Sequence, residues 1–136
     1  MNTTYFLNCV SGNLFGTKNN PALPTEYYIG LSKSAPNVNG SGVNEPAVDT
    51  GYARVQLTSL SEPADGVVTN NLAINFEESL KSWGTVTHFV IYDAEPVGSG
   101  HLLMYGELST PRAVEAATIM TIKDGYLKLS VQNPAQ

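Results

Sequence analysis

The stretch SWGTVTHFVIYDA, residues 82–94, decides the fold of this chain. It contains the single tryptophan, Trp83, followed by Gly84 and then by the longest run of β-branched and aromatic residues in the sequence. Such residues suit a pleated, half-buried surface. Because residues 85–92 also lack proline, the stretch predicts a long central β-strand.

Shorter runs of the same kind surround this strand, with glycine, proline and asparagine between them. About eight strands with frequent turn signals predict an all-β fold, an antiparallel β-sandwich of jelly-roll-like type. Asp124-Gly125 predicts a two-residue hairpin between the last two strands. A turn is predicted at Ser109-Thr110-Pro111. The predicted strands are 26–32, 51–57, 67–69, 72–76, 85–92, 101–108, 118–122 and 126–131.

The N-terminal segment differs from the rest of the chain. Residues 3–15 carry apolar side chains near helical spacing, with Thr3 or Thr4 as a capping residue and Gly12 as the predicted end. A docking arm is the alternative. The predicted organisation is a short helix or arm with a loop over residues 1–25, a single β-sandwich domain over 26–136, and a polar tail at 132–136.

Three further features of the strand region carry expectations. Gly30 inside the first predicted strand indicates a bulge or a close neighbour. Residues 34–50 form an unusually long segment without predicted structure, which indicates either a functional or partner-contacting loop or a solvated connector. In residues 51–57, Tyr52 and Arg54 alternate with Ala53 and Val55, which is typical of a sheet with one solvated face.

Composition narrows the possible functions of the 136 residues. The net charge is −5 and only 14% of residues are charged, against about 25% in ordinary domains. The seven basic residues are scattered, so binding of nucleic acid or of a membrane surface through a basic patch is not expected. Cys9 is the only cysteine, which fits synthesis in a reducing cytosol. No secretory signal or membrane span is predicted.

No catalytic, metal or cofactor site is predicted. His88 and His101 are the only histidines, and they could approach each other across a hairpin. A zinc site needs three or four ligands, and no second cysteine is available. The chain lacks Gly-x-Ser-x-Gly and phosphate-binding motifs. We therefore expect a protein that is not an enzyme.

Four aromatic residues and one arginine are the candidate contact residues. Aromatic faces can stack on sugars, but aromatics at alternating strand positions more commonly belong to a core or a subunit interface. The candidates for glycan or partner contact are Tyr52, Arg54, Trp83, Tyr92 and Tyr105.

The order of several short motifs resembles a family of small phage and prophage tail-fibre or minor tail proteins. These motifs are YIGLS at 28–32, GYARV at 51–55, WGTVTH at 83–88, IYDA at 91–94 and LLMYGEL at 102–108. The hairpin loop at 95–100 is longer than the family's usual type.

The resemblance implies a structural component of a phage or prophage tail, either a tail-fibre or a baseplate-associated virion protein. Such a protein would self-assemble, with a homotrimer favoured, and contact other tail or baseplate proteins without a cofactor. The alternative is a receptor-binding module that recognises host cell-surface glycans through loop 34–50 and the hairpin tip 95–100.

Overall fold

The computed structural model describes residues 1–16 and 22–131, which contain one α-helix and eight β-strands. All paired strands are antiparallel, so the predicted all-β sandwich class is confirmed. Part of the predicted loop at 16–25 and the predicted tail at 132–136 lie outside the described residues. The elements are α1 (Thr4–Phe15), β1 (Tyr28–Ser32), β2 (Val55–Gln56), β3 (Val68–Thr69), β4 (Ile74–Asn75), β5 (Gly84–Tyr92), β6 (Leu102–Val114), β7 (Thr121–Ile122) and β8 (Lys128–Leu129).

The strands form one large sheet and two small ladders. The four-stranded sheet has the order β2-β1-β5-β6, with β5 in its interior as the sequence predicts. Its register places Ile29 opposite Ile91 and Leu31 opposite Phe89. Strands β3 and β8 form one ladder, and β4 and β7 form the other. No helix among the described residues is long and apolar enough to cross a membrane.

The large sheet is buried on both of its faces. On one face, its aliphatic side chains pack against the apolar residues of the small ladders and against Trp83, Phe76 and Leu127. On the other face lies a smaller buried cluster, which consists of Val90, Tyr92, Leu102 and Tyr105. All five residues of β1 are buried as a result.

Loop 34–50 covers part of this second face. Val43 packs against the smaller cluster, and the loop ends in a short 3-10 helix, Val48–Thr50. The alternation predicted for residues 51–57 is present at Tyr52 and Arg54, which are buried, and at Ala53, which is exposed. Tyr52 and Arg54 thus lie on the side of the strand that loop 34–50 covers.

Helix α1 begins where the sequence predicts but ends later. The Thr3 hydroxyl accepts a hydrogen bond from the Phe6 amide at 3.3 Å and donates one to the Leu102 carbonyl at 2.7 Å. It thereby caps the helix and anchors it to β6. The prediction that Gly12 ends the helix is wrong, because the left-handed terminal residue is Gly16, with φ of 64°. The division into residues 1–25 and 26–136 stays a prediction.

Ser109-Thr110-Pro111 does not reverse the chain. These residues lie within β6, where Val86 pairs with Arg112 and His88 pairs with Glu107. A step of two residues along β5 thus spans five residues along β6. The predicted turn is a large β-bulge, in which a proline can sit without leaving a ladder bond unmade.

The predicted hairpin at Asp124-Gly125 is wrong, although a turn is present there. The Tyr126 amide donates to the Lys123 carbonyl at 3.1 Å, but β7 pairs with β4 and β8 pairs with β3. Only Gly125 has a positive φ, whereas a tight hairpin of the expected type needs two such residues. The strands on either side of the turn, β7 and β8, therefore do not pair with each other but join different ladders.

Candidate functional site

The most highly connected polar group of the described chain is the Arg54 side chain. It is fully buried, and it forms a two-point ion pair with Glu45 through Nε at 3.0 Å and Nη2 at 2.7 Å. Its Nη1 donates to the carbonyl oxygens of Ala94 at 2.8 Å and Ser99 at 2.9 Å. The guanidinium plane lies 3.7 Å from the centre of the Tyr92 ring. We call Glu45, Tyr52, Arg54 and Tyr92 the Arg54 cluster.

Arg54 connects three parts of the fold. It precedes β2 at the edge of the large sheet, Glu45 belongs to loop 34–50, and Ala94 and Ser99 belong to the hairpin between β5 and β6. A buried guanidinium must have its donors satisfied, and these partners satisfy them in a planar arrangement. The two loops predicted as recognition elements are therefore held by one cation.

Tyr52 completes the cluster as a neutral hydrogen-bond donor. Its hydroxyl donates to Glu45 Oε2 at 2.5 Å and accepts from the Leu31 amide at 2.9 Å. Burial, and then the Glu45 carboxylate, raise the pKa of Tyr52 far above its usual value. Tyr52 thus stays protonated when folded, and its contribution to stability is present below about pH 10 and falls above it, where an unfolded tyrosine ionises.

Gly30 makes room for the cluster, as its place in β1 predicted. A Cβ atom at this position would overlap the Tyr52 hydroxyl and lie 2.8 Å from Glu45 Oε2 and 3.3 Å from Arg54 Cγ. The register of β1 with β5 is unbroken, so Gly30 marks a close approach rather than a bulge.

Substitution of Gly30 with alanine is expected to lower the free energy of unfolding by about 1–3 kcal/mol, because the ion pair has to shift. Urea denaturation of Gly30→Ala tests this, with Gly40→Ala as a control for a glycine that has open space around it. Gly40 has a φ of 89°, so the control carries backbone strain but no overlap. A cost for Gly30→Ala no larger than that of the control would contradict the close approach.

All five candidate contact residues belong to connected buried regions. Trp83 packs edge-on against Tyr52, with ring centres 5.3 Å apart, and Tyr92 shares the smaller buried cluster with Tyr105. Trp83 and Tyr52 are each 2% exposed, and Tyr92 and Tyr105 are each 9% exposed. Their present contacts are with the protein's own chain, and a role in contacting a glycan or partner stays a prediction.

An open cavity of about 450 Å³ lies between loop 34–50 and the hairpin tip. Arg54 and Tyr92 form part of its floor. The donors of Arg54 already face Glu45 and two carbonyl groups, so the cavity presents mainly backbone and small side chains to a ligand. Its other lining residues are Gly40, Val43, Asn44, Glu45, Val97, Gly98, Ser99, Gly100 and Leu102.

The two histidines do not meet. His88 pairs with Glu107, whereas His101 directly precedes Leu102, which pairs with Tyr92. Four residues of extended β5, a distance of about 13 Å, separate His88 from Tyr92, and His101 lies one residue beyond the partner of Tyr92. The His101 ring stacks on Tyr5 with centres 4.1 Å apart. Within residues 1–16 and 22–131, no three histidine, cysteine, aspartate or glutamate side chains are grouped to hold a metal ion.

Sequence reasoning missed two buried polar residues, Glu45 in the Arg54 cluster and Asn70 beside the turn that precedes β8. Glu45 is the only charged residue between Lys33 and Asp49, and a single charge in such a stretch is a usable signal for a buried ion pair. Asn70 is buried, donates to the Lys123 carbonyl at 3.0 Å and accepts from the Leu127 amide at 3.0 Å. This role was not predicted, because an Asn-Asn pair between two short strands indicates only a turn.

The fold and its polar cluster define a class of protein: an antiparallel β-scaffold whose buried polar groups connect loops to a sheet. Within that class, comparison with known families gives the particular one. The family described as "Podophage GP4 fiber I protein gp80" matches residues 2–130. The chain therefore belongs to this family of phage fibre proteins, and its role in the tail fibre is structural. A search of curated proteins finds no match.

Proposed function

We propose that this protein is a non-catalytic building block of the phage tail fibre that assembles into a homotrimer and contacts other tail or baseplate proteins in the virion. It is made in the cytoplasm of the bacterial host. Membership of the fibre family supports the structural role. The low charged content supports self-association, because oligomer interfaces are depleted in charged residues.

The observation that carries the assembly proposal is the presence of two apolar surfaces, one that protrudes and one that is concave. The first, which we call the apolar knob, consists of Leu14 and Phe15 at the C-terminal end of α1. These side chains are 73% and 79% exposed. Two adjacent large apolar side chains at a helix end favour a partner that removes them from water.

The second surface, the apolar groove, is a cavity of about 300 Å³ beside the large sheet. It is lined almost entirely by apolar side chains and is separate from the knob. Its lining residues are Phe6, Tyr27, Leu57, Leu60, Pro63, Gly66, Val68, Ile91, Met104, Leu129, Ser130 and Val131.

In the proposed trimer the knob of each copy contacts the groove of the next copy, so the copies are joined head to tail. Such a heterologous contact closes into a ring when the rotation permits. A threefold ring fits the trimer proposed for the fibre. It would bury the knob of each copy in the groove of the next.

Removal of the knob is expected to convert the assembly into monomers. The variant Leu14→Ser/Phe15→Ser removes it, and Leu72→Ser/Ile119→Ser is the matched control, because those two side chains are 65% and 57% exposed elsewhere. Light scattering coupled to size exclusion gives the mass. Wild-type and control should be trimeric and the knob variant monomeric.

A groove variant, Leu60→Lys, makes the test directional. It should also be monomeric, but a mixture with the knob variant should give dimers, because each variant retains the surface that the other lacks. A wild-type monomer at high micromolar concentration, or a knob variant of unchanged mass, would contradict the proposal.

The second candidate function is recognition of host cell-surface glycans at the cavity between loop 34–50 and the hairpin tip. The fact in its favour is that these two loops line one open space. Asn44→Trp would fill that space without altering the Arg54 ion pair. Binding on an array of bacterial surface glycans that Asn44→Trp abolishes would support this function, and silence of the wild-type protein across the array would oppose it.

A further inference from the structure

A third cavity, a cleft of about 310 Å³, lies between the bulged part of β6 and the segment from Met120 to Leu127. Its floor is apolar and includes Phe89, Met120 and Leu127. Its rim carries Arg112, Lys123 and Tyr126. None of the five candidate contact residues lines it. A cavity with apolar walls and a few convergent polar groups, in the range of roughly 300–1,000 Å³, is the usual form of a small-molecule site.

The bulge in β6 builds this cleft. Residues 108–111 have no partners on β5, so the strand swings out between Glu107 and Arg112 and leaves a space toward β7. The Phe89 ring lies directly over Gly106, where a Cβ atom would be 2.6 Å from the ring. Bulges of this kind commonly occur beside binding sites, where they redirect side chains.

Within residues 1–16 and 22–131, the two cations on the rim have no carboxylate partner. The ion pairs among the described residues involve Arg54, Lys81 and His101, and none involves Arg112 or Lys123. The chain has only seven basic residues and a net charge of −5. Two exposed, unpaired cations beside one cleft of an acidic protein favour an anionic ligand there.

Tyr126 gives the rim an aromatic face. Its side chain is 69% exposed, whereas that of the next residue, Leu127, is buried. An exposed aromatic ring offers an apolar face with a polar hydroxyl at its end. Ser109, Thr110 and Glu107 add hydroxyl and carboxylate groups along the same rim, which can exchange hydrogen bonds with ligand hydroxyls.

We infer that this cleft binds a saccharide that carries a carboxylate, such as a uronic acid unit of a surface polysaccharide. The sugar's C–H face stacks on Tyr126, its carboxylate pairs with Arg112 and Lys123, and its hydroxyl groups contact the polar rim. Two cations are too few for a nucleic acid strand, whose binding requires the neutralisation of many phosphates. The inference goes beyond the structural role and does not depend on trimer formation.

The test is calorimetric titration of the full chain with trimers of galacturonic, glucuronic and mannuronic acid. Fully methyl-esterified trigalacturonic acid, which has the same rings without the charges, is the matched ligand control. We expect millimolar or tighter binding of at least one acidic trimer and at least about tenfold weaker binding of the ester, because charge-assisted hydrogen bonds are lost.

Matched variants locate the site. Arg112→Gln/Lys123→Gln should weaken binding at least about tenfold, whereas Lys33→Gln/Lys128→Gln, with the same change in net charge, should bind like wild type. Tyr126→Ala should lose binding, and Tyr126→Phe, which keeps the ring, should retain it. Circular dichroism and melting temperature should be unchanged in all four, because these side chains are exposed.

Three results would overturn the inference: no binding of any acidic trimer at millimolar concentration, equal binding of acid and ester, or equal effects of the two charge-matched double variants. A site that instead serves a protein partner would give the first of these results. Each is distinguishable from failure of the structural proposal, because light scattering on the same samples reports the assembly separately.

Discussion

Arg54→Ala is expected to lower the free energy of unfolding by about 3–5 kcal/mol, since removal of one partner leaves a buried charge uncompensated. The Glu45 carboxylate would lose its two-point partner while its side chain is only 6% exposed. The carbonyl oxygens of Ala94 and Ser99 would lose a shared donor. Urea denaturation at one fixed protein concentration measures the loss, because assembly makes stability concentration-dependent.

Two controls separate burial from charge. Lys81→Ala removes a surface ion pair with Asp49, whose side chains are 66% and 72% exposed, and should change stability by no more than about 0.5 kcal/mol. Glu45→Leu/Arg54→Met removes both buried charges and should recover part of the loss. If Arg54→Ala cost no more than Lys81→Ala, the Arg54 cluster would not hold the loops as the structure indicates.

Trp83→Ala is expected to cost about 3–5 kcal/mol, because it leaves a large cavity in the main core. The indole packs edge-on against Tyr52 at 5.3 Å and Phe76 at 6.5 Å between ring centres. Its Nε1 donates to the Thr50 carbonyl at 3.1 Å, which joins the end of loop 34–50 to the core. Unfolding should be followed by circular dichroism, because the variant lacks the only tryptophan.

Trp83→Phe discriminates packing from hydrogen bonding. It fills much of the space but leaves the Thr50 carbonyl without this donor, so its cost should be clearly smaller than that of alanine. Tyr126→Ala removes an exposed aromatic side chain and should change stability by no more than about 0.5 kcal/mol. A cost for Trp83→Ala close to that of Tyr126→Ala would mean that Trp83 is not a core residue.

Local sequence signals predicted the regular elements well where the conformation depended only on the residues themselves. The β-branched run at 85–92 became β5, and Thr3 capped α1, because both depend on the residues' own steric and hydrogen-bonding properties. Gly30 was expected to have a close neighbour and has one. The family resemblance likewise depended on the order of motifs along the chain, and the family match is in agreement with it.

Signals that depend on distant partners were misleading. Asp124-Gly125 predicted a hairpin, but Asn70 binds Lys123 and Leu127 on either side of the turn and the strands pair elsewhere. The alternation at residues 51–57 did not show which side is solvated, and loop 34–50 covers Arg54 through Glu45. Neither outcome can be read from neighbouring residues, because each partner is remote in sequence.

By itself, the sequence determined the all-β class and the interior strand β5, and it limited the cap of a possible helix to Thr3 or Thr4, since these follow from the conformational preferences of adjacent residues. Only the tertiary structure decided that both faces of the large sheet are buried, that Arg54 joins two loops, and that the bulge in β6 opens a cleft beside Arg112 and Lys123. These features arise from contacts between remote segments, and burial of a polar side chain is favourable only when its partners are in place.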